Sequence, residues 1–134
     1  MDYNWKKFWN FKALSNTDFQ ATGRSNVDIF GFFQTFHDIF NYLELKKKDN
    51  LLDIGCGSGI YSYLISNFVN SVTGIDISQK MLNRAKKNTI NLQNVKFKKM
   101  CASKLIFEDS YFDKVLIYSV LQYLDSINSF NKVL

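Results

Sequence analysis

The feature that most limits what this chain can fold into is Asn50-Leu51-Leu52-Asp53-Ile54-Gly55-Cys56-Gly57-Ser58-Gly59, a short apolar run that stops at alternating glycines. Ile60, Tyr61, Leu64, Ile65 and Phe68 then recur at helical spacing, so the pattern reads strand, glycine turn, helix. A second run, Ser71-Val72-Thr73-Gly74-Ile75-Asp76, is rich in β-formers. It precedes an amphipathic helix from about Ser78 to Leu92, with Met81, Leu82, Ala85 and Ile90 on its apolar side. The alternation predicts a parallel sheet with helices packed on it.

Two further strands continue the series. Val95-Lys96-Phe97-Lys98-Lys99-Met100 alternates apolar and basic residues and suits a sheet edge, where lysines discourage edge pairing. Lys114-Val115-Leu116-Ile117-Tyr118 is almost uniformly apolar, as a strand covered on both faces should be, and Leu121 to Leu134 returns to helical spacing. The expected fold is a Rossmann-like three-layer α/β/α arrangement with a mostly parallel sheet of about four strands.

Residues 1–45 read as an N-terminal helical cap or lid, and residues 46–134 as the Rossmann-like domain. Ile29, Phe33, Phe36, Phe40 and Leu43 recur at three and four, which predicts a buried stripe on a helix from about Val27 to Leu45. With no proline in the chain, helix ends must be set by other residues, and Ser25, Asn26 or Asp28 are plausible caps for that helix. Ser15 to Asn26 is polar and reads as a loop. Trp5, Phe8, Trp9 and Phe11 either dock the N-terminal segment onto the core or form a lid, docking being the commoner use of such aromatics. His37, the single histidine, reads as a partly buried core neighbour.

Composition narrows the function classes. The 134 residues allow one domain, and 46% hydrophobic content supports a packed core rather than disorder. The net charge of +5 comes from scattered short clusters of lysine and arginine, which read as solvated surface, so no nucleic-acid partner is expected. Cys56 and Cys101 show neither metal-ligand spacing nor a neighbouring histidine, so no metal is expected. No apolar stretch approaches the roughly 20 residues needed to span a bilayer. Met1 to Trp5 lacks a secretory apolar core, so the expectation is a cytoplasmic protein with no membrane partner.

In an open parallel sheet the ligand sits beyond the carboxyl ends of the strands, where the strand order reverses, and the Asp53–Gly59 loop belongs there. A dinucleotide loop places its third glycine three residues after the second, to seat a pyrophosphate at the helix N-terminus. Here the spacing is Gly-x-Gly-x-Gly, which argues against an oxidoreductase of that type. Asp53, two residues before Gly55, is a poor neighbour for pyrophosphate and a suitable one for an ammonium group. Asp76 ends the second strand, where a carboxylate can accept both ribose hydroxyl protons.

Leu51 to Gly59, Val72-Thr73-Gly74-Ile75-Asp76-Ile77-Ser78 and Phe112-Asp113-Lys114-Val115-Leu116-Ile117-Tyr118-Ser119-Val120-Leu121 resemble the first, second and fourth motifs of class I S-adenosylmethionine-dependent methyltransferases. The resemblance runs from about Lys48 to the end. It implies S-adenosyl-L-methionine as cofactor, with Asp53, Gly55, Cys56, Gly57 and Gly59 around the methionine part and Asp76 on the ribose. Ile77 and Met81 would pack on the adenine, although Met81 can equally belong to the core. The family's acidic residue after the third strand is replaced by Cys101, and Ala102 would offer its backbone amide instead.

Methyl transfer needs alignment more than a protein nucleophile, and no general base is named. Tyr118, Ser119, Gln122 and Tyr123 follow the fourth strand, where the family's acceptor approaches, and are either substrate-facing or packed. Arg24 reads first as a solvated loop arginine; the alternative is a partner for a carboxylate or phosphate of cofactor or substrate. A small-molecule acceptor is expected, since the proline-containing tetrad of adenine-specific DNA methyltransferases cannot occur in this chain.

The family's sheet has seven strands, so the resemblance implies that its C-terminal strands are absent here. Fragment, natural truncation and a subunit completed by a partner or its own copy all remain open, each leaving the fourth-strand edge to be covered. The expected function is a methyltransferase present as a truncated chain. A non-catalytic or partner-dependent cofactor-binding module is the alternative.

Overall fold

A computed structural model describes residues 4–24 and 28–124. Three helices come first, α1 (Trp5–Lys12), α2 (Asp18–Ala21) and α3 (Ile29–Leu43). Then follow β1 (Asn50–Ile54), α4 (Ile60–Ile65) with a 3₁₀ turn at Ser66–Phe68, β2 (Ser71–Asp76), α5 (Gln79–Asn88), β3 (Val95–Lys99) and β4 (Lys114–Ile117). A second 3₁₀ turn spans Leu121–Tyr123.

The strands form one sheet in the order β3-β2-β1-β4, with every pairing parallel. Leu51 stands beside Val72 and Lys114, and Ile54 beside Ile75 and Ile117. The order reverses between β1 and β4, so the glycine loop after β1 opens into a crevice between diverging connections. β1 is the central strand, and Leu51, Leu52, Asp53 and Ile54 are all buried, which explains why its sequence is an unbroken apolar run apart from Asp53.

The two faces of the sheet carry separate cores. Leu51, Val72 and Leu116 pack with Ile39 of α3 and Ile65 of α4 on one side. On the other, Leu52, Ile54, Ile75 and Ala102 meet Met100, Leu105, Phe107 and Phe112. Among the described residues this second layer is irregular chain between β3 and β4 rather than helix. α5 is held by its cap, Ser78, whose hydroxyl accepts the Met81 N–H at 3.1 Å.

Several expectations are corrected. The buried stripe of α3 is Phe32, Phe36, Ile39 and Leu43, whereas Ile29 and Phe33 are more than half exposed. Ser15–Asn26 is interrupted by α2, and where a helix is expected from Leu121 there is a 3₁₀ turn that ends at Tyr123; residues 125–134 of that expected helix lie outside the described residues. Ile90 is 79% exposed, because α5 ends at Asn88 before a further turn can bring it onto the core. Val115 is 46% exposed, since β4 pairs only with β1 among the described residues. His37 lies on the outer face of α3, exposed and close to Asp38 and Asn41. Asp28 does precede α3, but its carboxylate turns to Arg24 instead of capping the helix; Ser25 and Asn26 are outside the described residues.

Candidate cofactor and acceptor site

The glycine loop is shaped by the strand beside it. Gly55 and Cys56 donate their N–H groups to the Ile75 carbonyl at 2.8 and 3.0 Å, tying the turn to the end of β2. Gly55 has φ +74°, and a Cβ there would lie 2.1 Å from the Val120 Cγ2, so only glycine fits. Gly59 has φ +75°, and its missing Cβ lets α5 approach, Ala85 Cβ being 2.8 Å from where that atom would sit. Gly59 thus serves packing between loop and helix and does not line the cavity beside it.

That cavity measures about 750 Å³ and lies at the carboxyl ends of β1, β2 and β4. Asp53, Gly55, Cys56, Gly57, Asp76, Ile77, Met81, Cys101 and Ala102 all line it, as do Arg24, Tyr118 and Tyr123. Gln122 does not; its side chain donates to the Ser119 hydroxyl at 3.0 Å on the exposed side. Met81 is both buried and part of the lining, so the two readings of it are compatible.

The two acids differ in how they are held. Asp76 accepts the Gly57 N–H at 3.0 Å on one oxygen and the Ser78 N–H at 2.8 Å on the other, which fixes its plane at the end of β2. Burial raises its pKa above the ordinary carboxylate value, and those backbone bonds act against the rise. Asp53 is 4% exposed and accepts the Ser62 hydroxyl at 2.6 Å. Its pKa is pushed up to about 6, first by burial, with the Ser62 bond opposing and the negative charge of Asp76 adding to it. No described cation pairs with Asp53, so a buried carboxylate faces the cavity uncompensated. Burial, then the neighbouring Asp53 and Asp76, holds the Cys56 thiol protonated.

Arg24 is no solvated loop residue. Its side chain is only 17% exposed and donates to Asp28 at 2.9 Å, Thr35 at 3.1 Å, Tyr61 at 3.2 Å and Tyr118 at 2.8 Å. Thr22, two residues before it, packs on the glycine loop, its Cγ2 3.7 Å from the Cβ position of Gly57. Tyr61, which helical spacing alone places on the apolar side of α4, is a cavity residue; its ring stacks on Phe32 at 5.3 Å, and its hydroxyl joins the Arg24 cluster. No local sequence signal marks it, because its partners are 29 and 37 residues away.

α1 forms the roof. Trp5, Phe8 and Trp9 line the cavity, and Tyr123 lies 4.6 Å from the Trp5 ring and 5.4 Å from the Trp9 ring, whereas Phe11 is exposed. On its other flank the roof is fastened to α5. Arg84 pairs with Asp18 and donates to the Ala13 and Ser15 carbonyls, and Asn10 accepts the Ser78 hydroxyl at 2.7 Å.

A parallel sheet with this strand order, a glycine turn at the switch point and a ribose-competent acid ending β2 define a Rossmann-like protein built for a nucleoside-containing ligand. The comparisons with known proteins agree. A family model described as a methyltransferase domain matches residues 52–134. The demethylmenaquinone methyltransferase of Staphylococcus aureus strain MRSA252 is 38% identical over 97 residues, covering 67% of this chain and 40% of the relative. The chain therefore spans about two fifths of the length of that relative.

Among solved structures, the N-methyltransferase NodS from Bradyrhizobium japonicum WM9, in complex with S-adenosyl-L-homocysteine, superposes with a TM-score of 0.82 at 16% identity, over 98% of this chain and 64% of NodS. The phosphoethanolamine N-methyltransferase 1 of Haemonchus contortus gives 0.81 at 16% identity, over 96% of this chain and 27% of that protein. The chain belongs to the class I S-adenosylmethionine-dependent methyltransferase family, whose cofactor is S-adenosyl-L-methionine.

Proposed function

We propose that this chain binds S-adenosyl-L-methionine in the cavity beneath α1 and serves methyl transfer to a small-molecule acceptor. The observation that carries the reading is the buried Asp53 carboxylate, which faces the cavity without a described cation beside a glycine loop, in a cavity that the partly buried Arg24 guanidinium also lines. An amino-acid end that bears both an ammonium and a carboxylate matches that pair of charges. Asp53, Gly55, Cys56 and Gly57 hold the methionine part in this reading, with Arg24 toward its carboxylate. Asp76 accepts from the ribose through lone pairs left over from its two backbone bonds. Ile77 and Met81 flank the adenine, with Cys101 and Ala102 at its edge.

When bound, the cofactor supplies a methyl group activated on a sulfonium, whose carbon–sulfur electron pair stays on sulfur as the acceptor's lone pair takes the carbon. The chain's own part is to hold the donor end still and to exclude water with Trp5, Trp9 and Tyr123. Tyr118 and Tyr123 stand on the acceptor side, and Gln122 and Gly59 take no ligand-facing part. No helix among the described residues is long and apolar enough to cross a membrane, and none of their His, Cys, Asp or Glu side chains form a metal-holding group.

A second reading, a binding module that turns over only when completed, is favoured by the flank of β4 that no described strand pairs with, and by the exposure of Val115 on that strand. A further strand laid there, from following chain or from a second molecule, would cover it. Isothermal calorimetry with S-adenosylmethionine tests both readings. Binding that Asp76→Ala lowers by about tenfold or more supports the site. Absence of heat, or equal binding by Asp76→Ala, overturns it, and binding without turnover of any acceptor selects the second reading.

A further inference from the structure

Gly31 is out of place on helix propensity. It lies in the first turn of α3, a helix of 15 residues, where glycine lowers stability relative to alanine. Its backbone is not left-handed, so conformational freedom does not account for it. Space does. Leaving aside its chain neighbours and the helix backbone, the three atoms nearest to where a Cβ would stand all belong to Asp28: Oδ1 at 2.3 Å, with Cγ and Oδ2 at 3.0 Å. The place of the missing side chain is taken by the Asp28 carboxylate, folded back over the first turn.

That carboxylate holds one arm of Arg24, Oδ2 accepting from Nη1 at 2.9 Å. Gly31 acts on the other arm as well. The Thr35 hydroxyl gives its single proton to the Gly31 carbonyl at 2.8 Å, so toward Arg24 Nη2, at 3.1 Å, it can only accept. The guanidinium also lies over the Phe32 ring, 5.9 Å from its centroid. Both arms and one face of Arg24 are therefore mounted on the first two turns of α3, which removes most of the rotamer freedom of a long side chain. Arg24 still lines the cavity, and a guanidinium has more N–H groups than these partners occupy.

We propose that Gly31 is a positioning residue for the cofactor: its missing side chain admits the Asp28 carboxylate, which sets the Arg24 guanidinium in place to receive the carboxylate of S-adenosylmethionine. The inference rests on the reading above that Arg24 faces that group. It adds a selective lever, because a methyl at position 31 would be accommodated by displacing the carboxylate while the helix itself is strengthened.

Titration calorimetry on the full chain with S-adenosylmethionine and its decarboxylated analogue measures the effect, since the ratio of the two affinities reports on the carboxylate contact. Gly31→Ala and Asp28→Ala should each lower that ratio by about fivefold, the scale of one partly exposed charge-assisted bond. The double variant should show no further fall, because without the Asp28 carboxylate the added methyl has nothing to displace. A ratio left unchanged by either single variant, or a further fall in the double variant, overturns the proposal. A rise overturns it too, and marks Asp28 as a competitor for the guanidinium. Should Asp28→Ala fail to fold, Gly31→Ala decides alone, alanine being well suited to a helix. Equal binding of the two ligands by the unsubstituted protein defeats the Arg24 reading itself, a result separate from the behaviour of the variants.

Discussion

Replacing Asp53 with Asn separates what this carboxylate costs the fold from what it gives a ligand. Its pKa lies at about 6 in place of the ordinary 3.8, chiefly through burial. That rise means the folded protein disfavours the charged form by about 3 kcal/mol. The sign follows from the direction of the rise. Below about pH 3 the carboxyl is neutral in folded and unfolded chains alike and the cost is absent. It grows as pH climbs from about 4 to about 6 and is complete above that range. Asn carries no charge at any pH, and its amide oxygen can still accept the bond that Ser62 donates. Asp53→Asn should therefore stabilise the ligand-free protein by up to about 3 kcal/mol near neutral pH and by almost nothing at about pH 3. At roughly 3 to 6 °C per kcal/mol for a chain of this size, the melting temperature should rise by up to about 9 to 18 °C, and only at the higher pH. The same variant should bind S-adenosylmethionine about 10- to 100-fold more weakly, because the ammonium loses its carboxylate. Differential scanning calorimetry at the two pH values and titration calorimetry read the two effects. The reasoning is refuted by equal gains at both pH values, or by undiminished cofactor affinity.

Three further perturbations probe other parts of the site. Gly59→Ala should lower stability to urea by about 2 to 4 kcal/mol, since the residue sits at positive φ and its new methyl would press on Ala85. Arg24→Met should weaken S-adenosylmethionine binding by about tenfold or more and binding of its decarboxylated analogue by clearly less, which calorimetry with both ligands would show. Arg84→Ala removes the pair with Asp18 and two bonds to the carbonyls of Ala13 and Ser15. Tryptic cleavage at Lys6, Lys7 or Lys12 should then accelerate about tenfold, measured by mass spectrometry, as the roof opens without global unfolding.

Which parts of this molecule were readable from sequence depends on how far apart the partners lie. β1, its glycine turn and β2 were readable because a central parallel strand is buried on both faces and its ligand-facing acids end the strands, so both signals sit within a few residues. α3 shows the opposite case. Ile29-Phe33-Phe36-Phe40-Leu43 and Phe32-Phe36-Ile39-Leu43 both satisfy helical spacing, and periodicity has no means to choose between them. Phe32 decides it by stacking on Tyr61 and meeting Phe19 edge to face, contacts that belong to tertiary structure.

Arg24 extends the same point to function. Its hydrogen-bond partners come from α3, from α4 and from the segment after β4, up to 94 residues away. A local reading sees only an arginine after a glycine and assigns it to solvent. The floor of the cavity is thus written in two short motifs, whereas the roof and the guanidinium are assembled from segments distant in sequence. A guanidinium that binds Tyr61 and Tyr118 at once also ties the N-terminal cap to both flanks of the glycine loop. Placement of the cap and charge recognition at the loop therefore depend on the same side chain, and substitutions at Arg24 should disturb both together.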